Sequence, residues 1–136
     1  MPHLKLTLAY DGTGLVGWQR QASGVSVQGL IEEALAHLEG RPVSVSGAGR
    51  TDAGVHALGQ VASVTLQRAI APRSLVRAIN MRLPHTVRVL AADVVDPAFH
   101  ARFGAVAKTY RYRIWNGPVV SPFERPYVWQ VAWPPA

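Results

Sequence analysis

Apolar and polar residues alternate at the start of the chain, with Leu4, Leu6, Leu8 and Tyr10 set against Lys5, Thr7 and Ala9. Period two predicts a half-buried strand over 3–10. A glycine-rich connection follows from Asp11 to Gly24, and then the period changes. Val27, Leu30, Ile31, Ala34, Leu35 and Leu38 form one apolar stripe at helical spacing. Ser26 stands where an N-cap belongs, and Gly40 ends the helix as a C′ residue. A short strand is expected over 43–48, and a Val-rich strand over 60–66. Between them runs a dense loop, Gly47 to Ala57. Pro72 fits the first turn of a second helix that carries Leu75, Val76 and Ile79 inward to about Met81. Thr86 to Val95 reads as a fourth strand. Lys108 to Asn116 reads as a fifth, with Tyr110, Tyr112 and Ile114 on one face.

The order is β-α-β-β-α-β plus one more strand. That is the split βαβ, or ferredoxin-like, arrangement of the α+β class. It predicts a mostly antiparallel sheet with both helices on one face, leaving the other face for a ligand or more protein. RNA-recognition modules share this topology, although a fold alone does not settle function. Residues 1–116 are expected to form this lobe. Residues 117–136 carry Pro118, Pro122, Pro126, Pro134 and Pro135 interleaved with Tyr127, Trp129 and Trp133. They read either as a linker into a further lobe or as a strap over the sheet.

Charge sharpens this picture. The 136 residues hold 14 basic and 8 acidic side chains, net +6, and 12 of the 14 are arginine. Residues 1–49 carry net −1, residues 50–113 net +7, and the remainder net zero. Arginine suits planar, bidentate phosphate recognition, so an anionic partner is expected. The absence of cysteine excludes a disulfide framework and thiolate zinc sites. No apolar run approaches the roughly 18 residues of a membrane span, and the N-terminus lacks a signal-peptide layout. A cytoplasmic protein without membrane association is therefore expected. Neither a Walker-type loop nor a dinucleotide fingerprint is present.

The chemistry concentrates in Gly47-Ala48-Gly49-Arg50-Thr51-Asp52-Ala53-Gly54-Val55-His56-Ala57. Three glycines bracket a charged trio between two strands. Arg50, two residues from Asp52, is placed to pair with it and keep it ionised, as a nucleophile or base must be. The same residues also read as an Asp–Arg pair that merely ties a tight loop. His56, His100 and Asp52 match no standard metal-ligand spacing, so no metal is expected. A Ser-His-Asp hydrolase lacks a serine in a nucleophile elbow. A glycosidase needs a second, facing carboxylate. Arg73 and Arg77 form an i,i+4 pair, followed by Arg82 and Arg88. Phe99-His100-Ala101-Arg102-Phe103 suits base stacking with phosphate contact, or else two core phenylalanines flanking a surface arginine.

The run Gly49 to Ala57 resembles the catalytic signature of the tRNA pseudouridine synthase A family. Tyr10-Asp11-Gly12-Thr13, Gly17-Trp18-Gln19-Arg20-Gln21, Ser26-Val27-Gln28, Leu83-Pro84, Phe99 to Phe103 and Lys108-Thr109-Tyr110-Arg111-Tyr112 agree with that family in order and spacing. The resemblance covers roughly residues 4–116. Leu15 stands where the family usually has an aromatic residue.

The resemblance implies that Asp52 is the catalytic aspartate, with Arg50 paired to it and helping to hold the target nucleotide out of its stack. It implies that Tyr110 stacks on the target uracil. Phe99, His100, Ala101, Arg102 and Phe103 would line the RNA path. The Asp11–Gln21 loop, with Trp18, Gln19 and Arg20, would grip the RNA stem. The implied reaction isomerises uridine to pseudouridine in the tRNA anticodon stem-loop, in a homodimer, without metal or cofactor. Family chains are about twice this length, with a second lobe that closes the cleft. The chain is therefore expected to be an N-terminal lobe with little or no activity alone. The competing expectation is a non-catalytic RNA-binding module of the same fold.

Overall fold

A computed structural model describes residues 1–102, 109, 111, 114–116, 119, 121–127 and 129–131. The chain falls into two compact units, Met1–Ala105 and Val106–Ala136.

The first unit contains β1 (His3–Tyr10), α1 (Val27–Glu39), β2 (Ser46–Gly47), β3 (Ala57–Thr65), α2 (Pro72–Asn80) and β4 (Val87–Val94). The sheet order is β2-β3-β1-β4, and every neighbouring pair is antiparallel. This is the expected ferredoxin-like α+β arrangement. Leu4, Leu6, Leu8 and Tyr10 of β1 are all buried. They join Val27, Ile31 and Leu35 of α1 and Leu75 and Ile79 of α2 in one core, so both helices cover the same face of the sheet. The caps of α1 form as its sequence predicts. The Ser26 hydroxyl accepts the Gly29 N–H at 3.0 Å, and Gly40 closes the helix at φ 72°. A left-handed conformation there suits glycine, which has no Cβ to clash.

Two boundaries differ from the pattern, each for a physical reason. Only Ser46–Gly47 of the expected 43–48 strand pairs with β3. The backbone just before it bonds to α1 instead: Val45 N–H donates to Glu32 Oε2 and Gln28 Nε2 donates to Val45 O, both at 2.9 Å. The next strand begins at Ala57 rather than 60. A bulge places one extra residue in β3, because Leu8 pairs with Gln60 while Tyr10 pairs with Ala57. The bulge breaks the alternation that would have marked the strand. It also leaves Leu58 turned out, 80% exposed. In the second unit, Ile114–Asn116 (β5) pairs in parallel with Trp129–Val131 (β6). The intervening residues include a short 3₁₀ turn, Arg125–Tyr127. The rest of the expected 108–116 strand, Tyr110 included, lies outside the described residues apart from 109 and 111.

The face opposite the helices is partly occupied. Beyond β4 the chain turns at Asp96, whose side chain accepts Ala98 N–H at 2.8 Å. It then crosses the sheet, where Phe99 O accepts from His3 Nε2 and Ala101 N–H donates to the buried Ser63 Oγ at 3.1 Å. Leu8 lies at the centre of the core, between β3 and β4 and two residues from the loop side of the sheet. Leu8→Ala is expected to destabilise the fold by about 2–5 kcal/mol, from lost burial plus an incompletely collapsed cavity. Urea unfolding of parent and variant measures it; a loss well below 1 kcal/mol would contradict this packing.

Candidate active site

Asp52 lies on the loop between β2 and β3, and the position of that loop is set by a second one. Residues 11–20 leave β1 beside it and make two backbone bonds to it. Trp18 N–H donates to Thr51 O at 3.1 Å and Gly54 N–H donates to Leu15 O at 3.3 Å. Glycines make the approach feasible. A Cβ on Gly17, which sits at φ 112°, would lie 2.3 Å from Thr51 O. One on Gly12 would lie 2.1 Å from Val55 O. Within the loop Val55 N–H bonds back to Asp52 O at 3.1 Å, making a turn with Asp52 at its start.

Side chains complete the support. Tyr10 is 4% exposed, and its hydroxyl meets Thr51 Oγ1 at 2.9 Å. Burial raises the phenol pKa above its ordinary value, against the lowering effect of the Thr51 and Gln60 side chains. The Gln60 amide also donates to Gly49 O at 2.7 Å. Trp18 is stacked on Tyr10 and fills the space over Gly47, where a Cβ would meet the indole at 2.5 Å. At the far side of the loop, Gly12 N–H donates to His56 Nδ1 at 2.9 Å. That bond puts the neutral ring's proton on Nε2. Asp11 Oδ1 also lies 3.2 Å from Nδ1. With Nδ1 acting as an acceptor this is a close approach rather than a hydrogen bond, and the same carboxylate oxygen takes the Thr13 N–H and hydroxyl.

On this platform the side chains of Arg50 and Asp52 are both exposed. The expected ion pair between them is not formed: the ion pairs among the described residues are Arg20–Glu32 and the Asp11–His56 contact. Both groups are solvated, and a pair in water gains little.

The other expected site residues are dispersed. Trp18 is only 3% exposed, so its indole supports the loop from within the core instead of offering a surface to RNA. Gln19 is exposed. Arg20 is exposed too, and its Nε donates to Glu32 at 3.0 Å. Phe99 and His100 are half-buried, Ala101 is buried and Arg102 is exposed. Phe99 contacts His3, at the opposite end of β1 from Tyr10. Seven strand residues at ~3.3 Å each put that end about 23 Å from the Asp52 loop. Phe103 and Tyr110 lie outside the described residues. Among the described residues no cluster of His, Asp or Glu is arranged to hold a metal ion, and no helix is long and apolar enough to cross a membrane.

Periodicity alone did not single out Tyr10, Thr51 and Gln60 as supports of this site. Gln60 nevertheless left a trace: it is a polar residue in step with the inward-facing Ala62 and Val64 of β3.

Comparison with known proteins bears on this loop directly. Residues 7–104 match the family model described as tRNA pseudouridine synthase. A tRNA pseudouridine synthase A of Solibacter usitatus is 48% identical over 134 residues, covering 98% of this chain and 56% of that protein. The Methylacidiphilum infernorum protein of the same name is 53% identical over 127 residues, covering 93% and 50%. That of Solidesulfovibrio magneticus is 53% identical over 134 residues, covering 96% and 49%. The chain thus spans about half the length of the curated relatives it matches.

Gly17→Ala is expected to strain the backbone and drive Thr51 away, costing at least about 1–3 kcal/mol. Chemical denaturation measures this, and a neutral change would refute the close approach. The raised Tyr10 pKa carries a sign as well. A proton held more tightly in the folded state gives stability that is complete below about pH 10 and lost as pH rises through the folded value. Tyr10→Phe should flatten the part of the alkaline stability loss that Tyr10 causes, as seen in denaturant midpoints above pH 10.

Proposed function

The chain belongs to the tRNA pseudouridine synthase family, and on that premise we propose that it carries the catalytic aspartate of an enzyme that isomerises uridine to pseudouridine in the anticodon stem-loop of tRNA. The observation that carries this reading is the Gly49–Ala57 motif, held from beneath with Asp52 directed to solvent. The activity is proposed for the full-length protein.

The reaction breaks the bond between C1′ and N1, turns the base, and joins C1′ to C5. The proton displaced from C5 is balanced by one gained at N1, so substrate and product have the same composition. No electrons are transferred overall and no external group is consumed. One carboxylate therefore suffices. Asp52 serves by attack on the sugar, by attack on the base, or by taking a proton from the sugar. A stacked base is out of reach of the loop and has to be flipped. Tyr110 is assigned to stack on the flipped uracil, recovering about 1–3 kcal/mol. Arg50, exposed beside Asp52, is assigned to hold the extruded nucleotide. Arg20 and Arg102, both exposed, are assigned to phosphates, where they position the RNA without reading its sequence. The working enzyme is assigned as a cytoplasmic homodimer without metal or cofactor.

A pure RNA-binding module has no use for a carboxylate on a surface that faces phosphates. Asp52→Ala discriminates the two. In the full-length protein it is expected to lower pseudouridine formation on the order of a thousandfold or more, while tRNA binding stays at least as tight. Nucleoside analysis and filter binding read the two quantities. A variant that still forms pseudouridine at the parent rate removes Asp52 from the chemistry.

A further inference from the structure

Beneath the loop lies a set of neutral hydrogen bonds that brackets one residue. The Tyr10 hydroxyl holds Thr51 through Oγ1 at 2.9 Å. The Gln60 side chain holds Gly49 by donating to its carbonyl at 2.7 Å. Its own oxygen is committed to the Val61 N–H at 3.1 Å, which fixes the orientation of the amide. Gly49 and Thr51 flank Arg50, and Thr51 precedes Asp52. Thr51 is gripped a second time, because its carbonyl accepts the Trp18 N–H.

We propose that Tyr10, Gln60 and Thr51 are positioning residues of the catalytic loop: a hydrogen-bonded bracket, anchored on β1 and β3, that sets where Arg50 and Asp52 present their side chains. Three observations carry this. Tyr10 stands on the core face of β1, in register with Ala57, which follows the loop directly. Its ring is already immobilised against Trp18, so its hydroxyl is a fixed point. Arg50 and Asp52 make no ion pair among the described residues, so no charge–charge contact between them duplicates this work. Catalytic groups on a loop need such support, since a displacement of about 1 Å can cost on the order of a hundredfold in rate. The proposal rests on the reading of Asp52 as catalytic, but its structural half can be measured without turnover.

The test uses Tyr10→Phe, Thr51→Val and Thr51→Ser in the full-length protein. Tyr10→Phe keeps the ring on Trp18 and removes one oxygen. We expect it to lower kcat for pseudouridine formation by about tenfold or more, with KM for tRNA and the thermal midpoint close to the parent. Thr51→Val should match it, Thr51→Ser should restore activity, and the double variant Tyr10→Phe/Thr51→Val should lose no more than either single change, because both remove one interaction. Amide hydrogen exchange provides the independent readout. The Trp18, Gly54 and Val55 amides, bonded across or within the loop, should exchange faster in Tyr10→Phe, while the amides of β1 and β3 stay as protected as in the parent. An unchanged kcat in Tyr10→Phe, additive losses in the double variant, or unchanged exchange at those three amides would each overturn the bracket. Failure of the parent to form pseudouridine would instead count against the function proposed above, and the exchange result would still decide the bracket.

Discussion

Two backbone segments approach each other here more closely than any side chain would permit. At Gly12 and Gly17 the space a Cβ would fill holds carbonyl oxygens of the Asp52 loop, and at Gly47 it holds the Trp18 indole. Everything distinctive about the site depends on that approach. It lets the Trp18 N–H reach Thr51 O and the Gly54 N–H reach Leu15 O. It also brings Trp18 down onto Tyr10, which fixes the phenol that holds Thr51. The glycines therefore serve less as points of flexibility than as openings through which two loops lock together.

The result combines a restrained backbone with solvated side chains. Support for the loop comes from strands β1 and β3, which belong to the best-buried part of the fold. Arg50 and Asp52 project away from it into solvent. Loops set on a rigid scaffold commonly carry chemistry. Here the bulge in β3 contributes as well. By placing Ala57 opposite Tyr10 it aligns the exit of the loop with the phenol, and it turns Leu58 outward.

Much of this was legible in the chain. The alternation of Leu4, Leu6, Leu8 and Tyr10 is the signature of a one-sided strand, and it holds residue for residue. Ser26 and Gly40 mark the ends of α1 by cap chemistry that is local and therefore readable. Features that depend on two distant segments were not readable. The edge strand is short because Gln28 and Glu32 of α1 take the Val45 backbone, which no local pattern encodes. The family resemblance implied that Trp18 would grip RNA. It is buried because Gly47, far along the chain, leaves a space of its shape. The Arg50–Asp52 pair was inferred from proximity in sequence, which says nothing about whether solvation wins over attraction.

On the function proposed above, the distribution of charge separates the two tasks of such a site. The net +7 of residues 50–113 acts at a distance, and its effect on a polyanion weakens as salt rises. Holding the loop calls for the opposite property. A buried ion pair would meet that need poorly, because desolvating both charges offsets much of their attraction. The contacts under the loop are instead a phenol, a hydroxyl, a carboxamide and backbone groups. Each is uncharged and buried or half-buried, so salt screens none of them appreciably. Under the function proposed above, RNA binding would fall to exposed cations that respond to ionic conditions, while the position of Asp52 rests on neutral bonds that do not. A loop whose geometry shifted with every change in salt would lose its alignment. Uncharged support removes that coupling, which is a physical reason for a polar bracket beneath the Asp52 loop.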